Sequence, residues 1–271
     1  RDQGKTWQPI TKGLPPNVYC HTVKADHKRQ GLLFAGTERG AFVSFDDGDN
    51  WLPLQLNLPV TSVRDFEIYG NDLIVGTHGR GIWVIDDIAP LRQLSDATVA
   101  SAAYLYQPSD SVNVLSTSDN GTPLQKDEPQ APNPELGVPI DYWLGAAPRN
   151  PVSIEIMDAG GSIVHTFSNA PGATAAPTDI RELGDDAEAV RIPNTTAHWR
   201  VPPAPFLATP GMHRVVWNPV AVGRRRGGDG EGMTIPQQQT GTFTARLTVD
   251  GVVQTRTFHV APDPRSSALT G

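Results

Sequence analysis

The sequence predicts an all-β fold: two blade-like units of the kind that build a β-propeller, then an antiparallel β-sandwich. Three observations point there. A strand ending in Gly-Thr occurs twice, at Leu33-Phe-Ala-Gly-Thr37 and Leu73-Ile-Val-Gly-Thr77. The later part of the chain is built of short runs with apolar and polar residues in alternation, the period of a half-buried strand. The 26 glycines and 25 prolines make up about a fifth of the chain, dense in turns yet below the level of a disordered one.

The repeats extend beyond the Gly-Thr strands. Each is followed by a second strand, Arg39-Gly-Ala-Phe-Val-Ser-Phe-Asp-Asp47 and Arg80-Gly-Ile-Trp-Val-Ile-Asp-Asp87. Each is preceded by a Leu-Pro pair (Leu14-Pro15, Leu58-Pro59) and a candidate strand, near 18–24 and 60–68. Units of roughly 40–45 residues with four short strands have the size of a propeller blade.

A second pattern overlaps the repeat. Ser44, Asp46, Gly48 and Trp51 have the spacing S-x-D-x-G-x-x-W, and Asp2, Gly4 and Trp7 match it without the opening serine. In that spacing the aspartate can accept backbone N–H groups inside a tight turn. Glycine supplies the positive φ, and the indole packs back on the sheet. Trp7 and Trp51 are therefore expected to be buried between blades. The pattern resembles the Asp-box, or BNR, repeat of sialidase-like, sortilin-like and xyloglucanase-like propellers, over residues 1 to about 92. The second repeat departs from it, since Asp86-Asp87 is followed by Ile88-Ala-Pro90, and it is read as a last blade.

A propeller ring takes about 4–8 blades, and two would leave sheet edges unpaired. The expectation is a C-terminal piece of a longer protein. The remaining blades would come from the same precursor or from another chain.

Residues 93–137 read as a Pro-rich linker or strap, with possible strand character at 102–106. From 138 to 262 strand signals return, at 138–144, 152–156, 162–167, 213–218, 243–249 and 252–260, with Asp250-Gly251 as the strongest hairpin turn. Six or seven short strands without helical periodicity predict a sandwich. The runs Ile154–Val164, Gly211–Asn218 and Gly241–Gly251 resemble the Ig-like domain that closes large secreted bacterial BNR-repeat proteins named glycosyl hydrolases. They are also similar to the module of flagellar hook-capping proteins. Residues 263–271 form a tail, and 171–197 an insertion with a possible helical turn near 179–189.

Composition excludes several classes. With 22 Lys and Arg against 29 Asp and Glu, the net charge of −7 does not suit a nucleic-acid partner. No apolar run is long enough to span a membrane as a helix. The single cysteine, Cys20, rules out an intrachain disulfide and any cysteine-based zinc site. In an apolar-leaning strand it reads as a core filler. The seven histidines (His21, His27, His78, His165, His198, His213, His259) have no chelating spacing, so no metal and no cofactor are expected.

Among candidate site residues, Asp2, Asp46 and Asp47 could be offered as glycosidase acids. They read instead as turn residues, as does the pair Asp86-Asp87. His78-Gly79-Arg80-Gly81 lacks the strand–turn–helix setting of a dinucleotide loop and reads as a bulged hairpin. His78 and Arg80 remain ligand candidates at a propeller mouth. Arg224-Arg225-Arg226 reads as a basic cluster in a Gly-rich hairpin loop. No catalytic residue is assigned. The resemblance implies a noncatalytic binding or scaffold region of a secreted, periplasmic or cell-surface bacterial protein, with a carbohydrate or protein ligand. The alternative it implies is the terminal part of a glycoside hydrolase whose acids lie in other blades.

Overall fold

A computed structural model describes residues 3–114, 136–171, 206–226 and 232–265. The described residues are mostly β-strand, with two short helices, and make an all-β fold. They separate into two compact units, one ending at Arg92 and the other beginning at Gln93. The 171–197 insertion, apart from residue 171, lies outside the described residues.

The first unit holds two antiparallel sheets. Strands β1 (Cys20–Ala25), β2 (Leu33–Thr37), β3 (Gly40–Ser44) and β4 (Leu52–Pro53) form one, in sequence order. Strands β5 (Ser62–Tyr69), β6 (Asp72–His78) and β7 (Ile82–Ile85) form the other, with three strands where the repeat predicts four. The repeat is reproduced in detail. β1 carries an irregularity between Cys20 and Thr22, and β5 has its counterpart between Val63 and Asp65. Thr37 Oγ1 donates to Gly40 O at 3.0 Å and Thr77 Oγ1 to Gly81 O at 2.6 Å, so the threonine of each Gly-Thr pair closes the next turn.

The sheets stack through one apolar core. Phe34, Ala41 and Val43 of the first sheet meet Val63, Phe66, Leu73 and Val75 of the second. Gly36 lies at the closest approach, because an added Cβ would sit 2.8 Å from both Val63 Cγ1 and Val63 O. The other face of the first sheet gathers Ala35, Phe42 and Trp51, with Leu14 against them. Along the first strands, pairs 43 residues apart meet: Thr22 Oγ1 with Asp65 at 3.4 Å, Lys24 Nζ with Glu67 at 2.6 Å and Lys28 Nζ with Asn71 at 2.7 Å.

After β7 the chain turns at Asp87, whose φ of 50° matches the 64° of Asp47 in the first repeat. There the repeats part. Ile88 is buried in the shared core, and helix α1 (Ala89–Gln93) follows. Arg92 from this helix reaches the buried Asp26 carboxylate.

The second unit opens with helix α2 (Asp96–Ala100), whose N-cap Ser95 Oγ accepts the Thr98 N–H at 3.2 Å. The stretch read as a linker supplies two strands, β8 (Ala103–Leu105), where strand character was expected at 102–106, and β9 (Ser111–Asn113), which was not expected. One sheet has the order β13-β10-β8, with β10 (Val138–Leu144) central and β13 (Gly211–Trp217) beside it. The larger has the order β12-β11-β16-β17-β9. It is built from β11 (Ser153–Met157), β12 (Ile163–Ser168), β16 (Gly241–Val249) and β17 (Val252–Pro262), with β9 joined in parallel. Both sheets feed a single core, which contains Ile140, Tyr142 and Trp217 of the first and Ile154, Phe243 and Phe258 of the second. Alternation explains this: β16 buries every second residue from Phe243 to Val249.

Strands β14 (Val220–Arg226) and β15 (Gly232–Gln238) pair as a separate hairpin. Arg224, Arg225 and Arg226 therefore belong to a strand, opposite Thr234, Met233 and Gly232, and not to the loop. The glycines that suggested a loop start only after Arg226, whereas the arginines have partners for a full ladder.

Candidate functional site

The 44–51 segment is the most elaborated local structure among the sequence-selected residues. It joins β3 to β4. Ser44 Oγ donates to Asp46 Oδ1 at 2.8 Å and accepts the Gly48 N–H at 2.9 Å. Asp46 Oδ1 accepts the Asn50 N–H at 2.9 Å, and Oδ2 accepts the Asn50 side-chain amide at 2.6 Å. The Asn50 side chain, then its backbone N–H, and more weakly Ser44, hold the Asp46 carboxyl below its ordinary value. Gly48, at φ 94°, carries the chain past the turn, and its position leaves no room for a side chain beside Ile10.

Trp51 closes the segment. It is 3% exposed, and its Nε1 donates to Ile10 O at 2.7 Å while its backbone N donates to Lys12 O at 2.8 Å. The indole thus ties residues 10–14 to the sheet. Trp7 is a correction: it is 89% exposed, and its burial between blades is overturned. Its exposure counts against the propeller reading, which called for both indoles to be buried, and against residues 2–7 as a working copy of the same turn. Gly4 does adopt the positive φ, 82°, while Asp2 lies outside the described residues.

The second repeat keeps only the start of this turn. Asp87 accepts the Ala89 N–H at 3.0 Å and donates its own N–H to Asp72 Oδ1 at 3.0 Å, so it serves the strand–helix junction. His78 ends β6 and Arg80 follows it in the β6–β7 turn, both exposed. Gly79 and Gly81, at φ 83° and 71°, shape that hairpin. The β6–β7 turn corresponds to the β2–β3 turn, at the end of β3 opposite the 44–51 segment. The fold therefore does not bring Asp46 together with its two ligand candidates.

Cys20 is exposed on the edge strand β1, which corrects its reading as a core filler. Cys20 stands at the irregularity in β1, and its Sγ donates to Thr22 O at 3.4 Å. Among the described residues, no group of three or more His, Cys, Asp or Glu is placed to hold a metal ion, and no helix is long and apolar enough to cross a membrane.

His165, which with His213 and His259 falls in a run read as strand and was expected to be partly buried or at an edge, lies on β12. It is 4% exposed, stacks edge-on to Phe167 with centroids 4.3 Å apart, and its Nε2 has no hydrogen-bond partner. Burial pushes its pKa from 6.5 down to about 4. The unfolded chain binds a proton there near pH 6.5, and the folded chain does not until about pH 4. Stability is thus complete above that window and falls as pH drops through it, by up to about 3 kcal/mol. His165→Leu is expected to flatten this part of the profile in urea unfolding between pH 7.5 and 4.5. Parallel profiles for variant and parent would contradict it.

No family model, no curated protein and no solved structure matches this chain. The fold and the site define its class as an all-β protein of two units, the first carrying a duplicated sheet.

Proposed function

We propose that this chain is a noncatalytic binding or scaffold region of a secreted or cell-surface bacterial protein, with residues 1–92 acting as Asp-box propeller blades and 138–262 as an Ig-like sandwich. One observation carries the reading. Asp46, the acid best placed by sequence to be offered as catalytic, has both carboxylate oxygens engaged by Ser44 and Asn50 within its own turn. A glycosidase needs two carboxyls flanking a sugar, one of them free to give up or take a proton. Asp46 is a fastener for the turn that seats Trp51. The stacked sheets supply a repeat able to present a ligand face, and the sandwich supplies the anchoring module. Further blades, carbohydrate or protein are the partners this reading calls for.

The experiment pairs stability with function. Asp46→Ala is expected to lower unfolding free energy by about 1 kcal/mol, since its partners at the turn can turn to water. Glycan-array binding by the folded variant should match that of the parent, and neither should release reducing sugar from xyloglucan or sialosides. Hydrolysis that disappears in Asp46→Ala at an unchanged melting temperature would replace this reading with the glycoside hydrolase.

A further inference from the structure

We infer that the outward face of the β5-β6-β7 sheet docks a second copy of this chain, receiving the copy's β1-β2-β3-β4 sheet in the register of the stacking inside the first unit. The inference rests on the reading of residues 1–92 as an incomplete set of blades, and it names one partner for them.

The repeat makes the two faces comparable. In the first sheet Ala41 and Val43 are 2% and 4% exposed, because the second sheet covers them. Their equivalents in β7, Ile82 and Val84, are 75% and 47% exposed. Tyr69, at the end of β5, is 77% exposed on the same side of the sheet. The second sheet thus repeats the covered face of the first without its cover, and it leaves Ile82 and Val84 exposed on its edge strand β7 and Tyr69 exposed on β5.

Charge selects the occupant. Within the unit, strand equivalents 43 residues apart stand beside one another, and Lys24 meets Glu67 at 2.6 Å. Repeating that step outward places Glu67 beside the residue equivalent to itself in the incoming sheet. In a second copy that residue is Lys24, an opposite charge, which would share Glu67 with the chain's own Lys24; the copy's Lys28 and Thr22 would likewise share Asn71 and Asp65 with their counterparts in the chain. The incoming copy also offers Val23, 52% exposed, at the position where Phe66 is 1% exposed in the existing stack. Such a contact is head-to-tail, with different surfaces on the two partners.

The register makes a specific cross-link possible. Val63 packs on Gly36, and the paired irregularities in β1 and β5 make Cys20 the equivalent of Val63 and Gly76 the equivalent of Gly36. Cys20 of one copy therefore comes to rest on Gly76 of another. Val63 Cγ1 lies 2.8 Å from where a Cβ on Gly36 would be, a separation within the reach of a disulfide. At Gly76 itself an added Cβ meets nothing closer than Asp65 O at 3.6 Å, so a cysteine fits the folded chain.

The test uses the full chain carrying Gly76→Cys, oxidised over a concentration series. Disulfide-linked dimers and higher species are expected on non-reducing gels, with Cys20 joined to residue 76 in the peptide map. They should be absent from Cys20→Ser/Gly76→Cys. Ile82→Glu, which changes only an exposed residue, should leave the melting temperature unaltered yet reduce the cross-linked fraction at least tenfold. A cooperatively folded Gly76→Cys chain that forms no 20–76 link, or forms it equally with Ile82→Glu, overturns the second copy as partner. The same result leaves the scaffold reading standing, because that reading is judged separately by glycan binding and hydrolysis.

Discussion

Arg92→Ala is expected to destabilise the first unit by about 3–5 kcal/mol, the cost of leaving a buried charge without its counterion. The Asp26 side chain is fully buried and that of Arg92 is 9% exposed. The guanidinium holds both Asp26 oxygens, at 2.8 and 3.1 Å, and also donates to Asn71 Oδ1 at 2.6 Å and to Gly70 O at 3.3 Å. Asp26 accepts the Lys28 and Arg29 N–H groups as well, and the Arg29 side chain donates to Leu91 O. The cluster fastens α1 across both sheets. Burial pushes the Asp26 carboxyl up, but Arg92 and the two backbone N–H groups together outweigh it and hold the pKa below the ordinary 3.8. The ion pair's contribution is therefore present above the unfolded value of 3.8 and lost as pH falls through the lower folded value. Urea unfolding followed by tryptophan fluorescence measures the loss. The double variant Asp26→Leu/Arg92→Met should be milder than Arg92→Ala, since no charge is stranded. A loss under about 1 kcal/mol for Arg92→Ala would mean that the pair does not fasten the helix.

Trp51→Ala is expected to cost about 3–5 kcal/mol, for an indole removed from a filled core and a stranded Ile10 carbonyl. Trp51→Phe keeps most of the packing and should cost about 1 kcal/mol, chiefly the hydrogen bond from Nε1. Trp7→Ala, at an exposed position, should stay within about 0.5 kcal/mol. Thermal and urea melts of the three variants provide the comparison. Equal losses for Trp7 and Trp51 would show that the two indoles serve alike, and would restore the burial that the structure denies to Trp7.

The strands were the most legible level. The strand signals at 138–144, 152–156, 162–167 and 243–249 fall on strands Val138–Leu144, Ser153–Met157, Ile163–Ser168 and Gly241–Val249, shifted by one or two residues at most, because burial on one face of a sheet writes a period of two into the chain. The Gly-Thr repeat marked β2 and β6, and the spacing of Ser44, Asp46 and Gly48 located a turn whose bonds are local, while Trp51 reaches back 41 residues to Ile10 O. Local motifs are readable because every partner lies within a few residues. Helix α2 left a signal that went unread, a serine cap followed by an aspartate in the first turn.

What sequence alone determined is the class, all-β, with its strands and its local turn. What tertiary structure decided are the contacts made at a distance. Asp26 and Arg92 are 66 positions apart, the Leu105 N–H donates to Gln254 Oε1 across 149, and β9 joins β17 in parallel out of a stretch that read as linker. The fates of Trp7 and Trp51 diverge for the same reason. The same residue in a similar spacing is buried at Trp51, against the first sheet, and exposed at Trp7. Side-chain periodicity records how each strand is exposed, but it carries no record of which other surface will cover it.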